Sequence, residues 1–391
     1  MKDIFVVDAL RTPFGSFGGS LSEVAAPSLA AQVISALLER HSVSGDQIDE
    51  VILGQVLQGG SGQAPARQAM RQAGLPDSVA AMTINKVCGS GLKAMMLAAD
   101  SIQLGNSSMV LAGGMENMSL APYLLPKARF GQRMGNGEIL DLLIHDGLQD
   151  PYSNRHMGVI TEEWIAQHGI GRDEQDTFAA RSYRLAQSAL DSLIFSDELV
   201  PVVKKSRKGE VRIDSDEEPF RGDIDKLTTL RPAFNKEGTI TAGNASTIND
   251  GASVALLADA ESVEKHKLKT KARLIASATN SIHPDLFAEA PVGAIQKCVE
   301  RAGLTLDQID LFEINEAFAA VPVLAARQLK IPVEKINVNG GAVALGHPIG
   351  ASGARLATTL IREMQARGSR YGLATLCIGG GEAVAAIFER A

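Results

Sequence analysis

The feature that most constrains this chain is that part of it occurs twice. The stretch SGLKAMMLAADSIQLGNSSMVLAGG, beginning at Ser90, is answered by SGARLATTLIREMQARGSRYGLATLCIGG, beginning at Ser352. Each copy is a small-residue turn, an amphipathic helical run, a polar break and an apolar run ending in Gly-Gly. Upstream, IDEVILGQV at 48 finds an echo in IDLFEINEA at 309. A doubled unit predicts two related halves packed around a pseudo-twofold axis, with equivalent loops able to converge on one site.

The pattern inside each copy sets the fold class. Short apolar runs (IFVVDA, EVILGQVL, SMVLAGG) alternate with helical periodicities such as SLAAQVISALLERH and GLKAMMLAADSIQLGN. That alternation calls for an α/β chain, a parallel or mixed sheet covered by helices. With 391 residues, 45% of them hydrophobic, a large core and two or three domains or subdomains are expected. Only 4% are aromatic and 38 are Gly, which suits closely packed layers. From about 120 to 245 the texture changes to charge, Pro and isolated Gly, including KKSRKGEVRIDSDEEPFRGDIDK, which cannot be core. SVALLADA at 253 then reads as a late strand of the first half. The expected division is 1–119 plus 246–268 as the first half, 120–245 as an inserted loop domain, and 269–391 as the second half. The basic run Lys204, Lys205, Arg207, Lys208 reads as a solvated turn rather than a phosphate site.

Bulk properties exclude several functions. The net charge of −7 argues against nucleic acid as a partner, since polyanion binding needs a basic excess. Three cysteines, at 88, 298 and 377, make no even disulfide framework and fit no zinc spacing, so no metal is expected and a reducing cytoplasm is the simple reading. The N-terminal MKDIFVVDALRTPFG reads as a strand running into a turn, without signal- or transit-peptide character. No apolar run is long enough to span a bilayer.

The positions that could carry chemistry cluster at Gly-rich turns. Cys88, in NKVCGSGLKAM, stands at the mouth of a helix, where free N–H groups and the dipole stabilise a thiolate; a buried structural thiol is the competing reading. Cys377, in ATLCIGGGEAV, ends an apolar strand before three glycines, which are costly to order. The two cysteines are read as closing matching ends of the duplicated units. Cys298, in AIQKCVERAG, has ordinary mid-helix spacing and reads as structural. His347, between Gly and Pro in NVNGGAVALGHPIGASGARLA, is suited to polarising a carbonyl or taking a thiol proton. His156, in NRHMG, is either surface polar or pocket lining, and histidines 41, 145, 168, 266 and 283 read as surface or capping residues. Asn315 and Glu316, in EINEAFAA, follow a strand, where α/β crevices form. The small residues of TAGNASTINDGAS at 241 suit either a polar loop or a narrow tunnel wall.

Taken in order, NKVCGSGLKA, HMG, LRPAF, TAGNAS, NDGA, NEAFAA, NVNGGAVALGHPIGASGAR and GLATLCIGGG resemble the motifs of the thiolases over nearly the whole chain. The resemblance implies a thiolase-like duplicated α/β/α/β/α layered fold with an inserted loop domain. The segment MGNGEILDLLIHDGLQDPY is most similar to the biosynthetic, acetoacetyl-CoA-forming branch, in which a nearby loop helps build homotetramers. By the resemblance, Cys88 takes the acyl group from acetyl-CoA in ping-pong fashion and His347 takes the thiol proton. Cys377 removes the α-proton of a second acetyl-CoA, and the carbanion releases acetoacetyl-CoA; the reverse is cleavage by CoA. CoA thioesters are substrates, and no cofactor is implied. The enolate oxygen would meet His347 and a water held by Asn315, each donor contributing roughly 3 kcal/mol. A second hole would use the N–H groups of Cys88 and Gly379, with Gly at 379 permitting close approach. Arg221 in PFRGD would stack on the adenine and Ser246 would meet the pantetheine, while His156, Met157, Ala317 and Phe318 would line the pocket.

Three residues depart from the family pattern. Thr247 stands where many relatives carry Gly, which implies a stiffer tunnel wall, and Glu382 would raise the Cys377 pKa if it pointed inward. Pro322 lies near a helix start, where it is tolerated. Competing readings are a degradative thiolase for longer 3-ketoacyl-CoA, a ketoacyl synthase, and a silent CoA-binding protein. Cys377 in place of a second histidine weighs against the ketoacyl synthase.

Overall fold

The structure is a computed structural model that describes residues 2–206 and 209–391. The first half supplies strands β1 (Ile4–Arg11), β2 (Glu50–Gly54), β3 (Ala80–Ile84), β4 (Met109–Asn117) and β5 (Asn249–Asp259). The second supplies β6 (Ala272–Ser281), β7 (Leu311–Ile314), β8 (Tyr371–Ile378) and β9 (Glu382–Arg390). They are hydrogen-bonded in the order β7-β8-β9-β6-β1-β5-β4-β2-β3, with the two-residue strand Gly15–Ser16 beside the start of β5. The halves meet where β1 pairs antiparallel with β6, at Phe5–Arg273 and Val6–Ala272.

Counted outward from that seam, the pairings repeat. In the first half β1·β5 and β5·β4 are antiparallel, then β4·β2 and β2·β3 are parallel. In the second, β6·β9 and β9·β8 are antiparallel and β8·β7 is parallel, followed by a parallel bridge from Phe312 to Ile336. The duplication in the sequence is therefore a duplication of strand order and sense.

The helices explain why the strands read as continuous apolar runs. The longer ones are α1 (Ala26–His41), α2 (Pro65–Gln72), α3 (Ser90–Gln103), α4 (Met157–His168), α5 (Arg172–Asp191), α6 (Ala290–Arg301), α7 (Ala320–Leu329) and α8 (Ile349–Arg367). α3 and α8 lie between the two half-sheets, where Leu92, Met95, Leu356 and Leu360 pack with Val110 on one side and Leu376 on the other. α1 and α2 cover the outer face of the first half, and α6 and α7 that of the second. The result is five layers, helix–sheet–helix–sheet–helix, as the resemblance implied. Every residue of β4 is buried, because helices lie on both of its faces. The conserved pairing of Ser and Gly at the two copies has a steric cause at the helix crossing. A Cβ on Gly91 would lie 2.7 Å from the Ala354 nitrogen, and one on Gly353 would lie 2.5 Å from that of Leu92.

The excursion at 120–245 differs from a domain with its own core. Trp164, Phe178 and Tyr183 share a cluster with Ile295, Ile314 and Val321 of the second half. Val202 and Ile213, on a small hairpin, pack instead with the α1 side of the first half. The excursion is a cover laid over both halves, its apolar side chains divided between the two cores. One buried ion cluster fastens it. Arg11 on β1 is fully buried and donates to Asp216 at 2.7 and 2.8 Å and to Glu198 at 2.5 Å. Of the basic run, Lys204 is not a free surface charge: its ammonium donates to the Ser20 carbonyl at 2.5 Å. Arg207 and Lys208 lie outside the described residues. Among the described residues no helix is long and apolar enough to cross a membrane, and no three His, Cys, Asp or Glu side chains are placed to hold a metal.

Candidate active site

Cys88 sits on a strained turn. Val87, immediately before it, has φ of +48°, a region costly for a β-branched residue. Ser90 holds that turn from both ends: its hydroxyl donates to the Val87 carbonyl at 2.7 Å and accepts the Lys86 N–H at 2.8 Å. Asn85 Oδ1 accepts the Val87 N–H at 2.9 Å. The strain delivers the thiol to the mouth of α3, whose N-cap is Gly89. Backbone N–H groups of Gly379 and of Cys88 itself hydrogen-bond the sulfur and favour its thiolate, but burial dominates and pushes the thiol up to about 11.

His347 is buried just ahead of α8 and is held on three sides. Its backbone N–H donates to Asn249 Oδ1 at 2.9 Å. Its Nδ1 lies 2.5 Å from the Ser352 hydroxyl, which in turn donates to the Pro348 carbonyl at 2.9 Å. Since the hydroxyl proton is committed to Pro348, the serine oxygen accepts from Nδ1–H, and Nε2 keeps its lone pair. Asn315 Nδ2 approaches that Nε2 at 3.4 Å, and the Asn315 Oδ1 is buried without a protein partner. Burial, assisted by the charge of Arg355, depresses His347 to about 3, so the ring is neutral at ordinary pH and offers a base.

Cys377 ends β8, and burial pushes its thiol well up, with a charge on Cys88 pushing it further. Cys88, His347, Cys377 and Gly379 line one cavity of about 280 Å³. The cysteines reach it from unlike positions, which corrects the expectation of matching ends. Cys88 precedes a helix, whereas Cys377 closes a strand; the repeats set Cys88 against Gly350, and the strand ladders set Cys377 against Met115. Among the glycines after Cys377, the one that the protein's own packing requires is Gly381. A Cβ on Gly379 would meet Met157 at an ordinary 3.7 Å, whereas Gly381 has φ of +86° and would press a Cβ to 2.3 Å from the Ile282 carbonyl. Cys298 is buried within α6 with its sulfur 3.7 Å from the Ala385 carbonyl, a packed structural thiol.

The excursion, the loop that follows it and the turn after β7 supply the rest of the wall. His156, Met157, Ser246, Ala317 and Phe318 all line the same cavity. His156 caps α4, its Nδ1 accepting the Gly158 N–H at 3.0 Å, so the ring proton is on Nε2. Burial lowers its pKa. Its ring stacks on Phe234 at 5.0 Å, and Phe234 meets Phe318 edge-on at 6.3 Å. Ser246 donates to the Ala317 carbonyl at 3.1 Å, joining the small-residue loop to the NEAF turn. Arg221 and Asn315 are not part of the cavity lining: Asn315 stands behind the His347 ring, and Arg221 is an exposed loop residue paired with Glu218. Glu382 points away from Cys377, towards Lys86 and the Ser281 hydroxyl.

Sequence reasoning passed over three supports. Phe234 stood in a quoted motif without a role. Ser352 was visible as a hydroxyl five residues past His347, in the first turn of a helix. Glu116, inside the buried strand β4, carried no sequence signal: its carboxylate accepts N–H groups of Val56, Leu57 and Gly350 at 2.9, 3.2 and 3.0 Å, and burial pushes it up to about 7.

Comparison with known proteins agrees with this geometry. The thiolase N-terminal domain matches residues 4–261 and the thiolase C-terminal domain residues 268–390. The chain is 49% identical over 392 residues to the acetyl-CoA acetyltransferase of Pseudomonas aeruginosa, covering 100% of both. It is 50% identical over 390 residues to that of Chromobacterium violaceum, covering 99% of this chain and 100% of the relative. Its structure matches the crystal structure of the Bacillus anthracis acetyl-CoA acetyltransferase with a TM-score of 0.98 at 42% identity, over 100% of this chain and 99% of that one. The chain belongs to the thiolase family.

Proposed function

We infer that the protein is an acetyl-CoA C-acetyltransferase, joining two acetyl-CoA into acetoacetyl-CoA and CoA and catalysing the reverse cleavage. The observation that carries the reading is the meeting of two thiols and a neutral imidazole in one cavity, with two backbone N–H groups at the Cys88 sulfur. Cys88 Sγ attacks the thioester carbonyl while His347 Nε2 takes its proton, and the N–H groups of Cys88 and Gly379 hold the oxyanion. The departing CoA thiolate takes the Cys377 proton. Cys377 then removes the α-proton of a second acetyl-CoA, whose enolate oxygen faces His347 and a water held by Asn315. The carbanion attacks the acetyl-Cys88 carbonyl, and the freed Cys88 thiolate recovers its proton from His347.

The order of the half-reactions has an electrostatic basis. A thiolate at Cys88 opposes one at Cys377. Acetylation makes Cys88 neutral, so the base forms when an acyl group is ready to receive the carbanion. Acetyl-CoA, acetoacetyl-CoA and CoA are the small-molecule partners, entering along the wall of His156, Met157, Ser246, Ala317 and Phe318, with Arg221 at the adenine end. The test is a pair of variants given acetyl-CoA. Cys88→Ala should lose turnover yet bind CoA, and Cys377→Ala should still form acetyl-Cys88 by intact mass but not condense. Full turnover in either variant removes that thiol from its role. Preferential turnover of eight-carbon ketoacyl-CoA, or of malonyl thioesters, would replace the acetyl reading.

A homotetramer, a dimer of dimers, in the cytoplasm completes the proposal. The excursion exposes Tyr123, Phe130, Met134 and Ile139, and β3 ends the sheet with a half-exposed edge, which supports association. Three unpaired thiols suit a reducing compartment. Light scattering giving a monomer mass, or fractionation outside the cytoplasm, would count against these assignments.

A further inference from the structure

We propose that Thr247 is a positioning residue for His347, acting through the side chain of Asn249. The Thr247 hydroxyl donates to Asn249 Oδ1 at 2.8 Å. The same oxygen accepts the His347 backbone N–H at 2.9 Å. The orientation of that amide is fixed, because Asn249 Nδ2 donates to the Gly15 carbonyl at 3.0 Å and lies 3.4 Å from Glu218 Oε1. Asn249 is fully buried and wedged against the chain entering His347: a Cβ on Gly346 would fall 2.3 Å from it. Two donors, one from each loop, therefore converge on one carbonyl oxygen that has nowhere else to turn.

The consequence is a coupling between wall and chemistry. Thr247 lines the cavity beside Ser246, and Asn249 does not. Thr247 is thus the ligand-facing end of a two-bond link to the backbone of His347. Ser352 fixes the imidazole from the α8 side, while the Thr247–Asn249 link fixes the main chain from the tunnel side. The stiffer wall expected from threonine here has an atomic partner, and that partner holds the proposed base.

The kinetic part of the test rests on the acetyltransferase reading, and the exchange part does not. Thr247→Val keeps the branched shape and removes the donor; Thr247→Ser keeps the donor and removes the methyl. In acetoacetyl-CoA cleavage, Thr247→Val should lower kcat about five-fold with KM within about two-fold, the scale of one buried hydrogen bond. Thr247→Ser should stay near wild type. Hydrogen–deuterium exchange of the backbone peptide spanning Gly346 to Ile349 should quicken in Thr247→Val and not in Thr247→Ser. Equal losses in both variants would overturn the proposal, because shape rather than the hydroxyl would then matter. Wild-type exchange in Thr247→Val overturns it whatever the kinetics. If the wild-type enzyme fails to cleave acetoacetyl-CoA, the acetyltransferase reading falls while the exchange comparison still decides the role of Thr247.

Discussion

Replacing Ser352 by alanine tests the protonation logic of the site. The Ser352 oxygen is the acceptor for His347 Nδ1–H at 2.5 Å, in surroundings where both residues are buried. Alanine leaves that N–H without a partner, a loss of about 1–3 kcal/mol for a buried neutral donor. The bond matters more once the ring holds the Cys88 proton, since hydrogen bonds to charged groups are about twice as strong. Part of the loss is therefore confined to the transition state. Taking that part as about 2 kcal/mol gives roughly a 30-fold fall in kcat. KM should change little, because Ser352 is not in the cavity lining. Initial rates of CoA-dependent acetoacetyl-CoA cleavage supply both constants. Urea unfolding reads the folded-state losses together, the unpartnered Nδ1–H and the bond to the Pro348 carbonyl, expected at about 2–4 kcal/mol. A kcat within about two-fold of wild type, or a deficit carried wholly by KM, would refute the assignment of the Nδ1–H tautomer and of Nε2 as the base.

Three other outcomes follow from the same geometry. Arg11→Met should destabilise the fold by about 3–5 kcal/mol in urea at neutral pH, because it strands Glu198 and Asp216 without their buried cation; an unchanged midpoint would count against the ion cluster as the fastening of the excursion. His347 titrates at about 3 when folded against an ordinary 6.5, so its contribution is complete above about 6.5 and is lost as pH falls towards 3. His347→Asn should flatten the stability profile across that window, and coincident acid limbs would contradict the burial argument. Gly379→Ala should keep the fold and acetylation of Cys88, because the N–H remains and the Cβ has room, whereas Gly381→Ala should be strongly destabilised; equal effects would show that the positive φ at 381 is not what the glycines serve.

What the sequence made legible was whatever had to satisfy a repeated packing constraint. Ser90-Gly91 and Ser352-Gly353 stood out because two helices cross there at backbone contact, and only small residues fit. The buried strands stood out because helices on both faces demand unbroken apolar runs. Cys88, Cys377 and His347 were visible because each interrupts a Gly-rich turn with a reactive group. What stayed hidden depends on distances through space that no local pattern encodes. Asn249 reaches His347 across 98 positions, and Glu116 reaches Gly350 across 234. The excursion stood out in the sequence because its composition differs. Its core is borrowed from both halves, and only the folded contacts of Trp164, Tyr183 and Val202 reveal that.

A duplicated frame ought to offer two helix mouths to two equivalent sites, yet one thiol is placed at one of them. The repeats set Cys88 opposite Gly350, at the start of α8. There the Gly350 N–H is already taken by Glu116, which reaches in from β4 of the other half. The carboxylate occupies one mouth, so the dipole of α8 and its first free N–H are answered by a protein anion. Among the described residues no carboxylate is bound in this way at the mouth of α3, and the sulfur of Cys88 lies with two backbone N–H groups instead. The asymmetry lies in what answers each mouth: a carboxylate from the sheet at α8, and a thiol from the turn just before the helix at α3. It also accounts for Glu116 being a carboxylate held at the cost of burial, because a neutral aliphatic side chain would leave three N–H groups, two from one loop and one from a helix, with no acceptor.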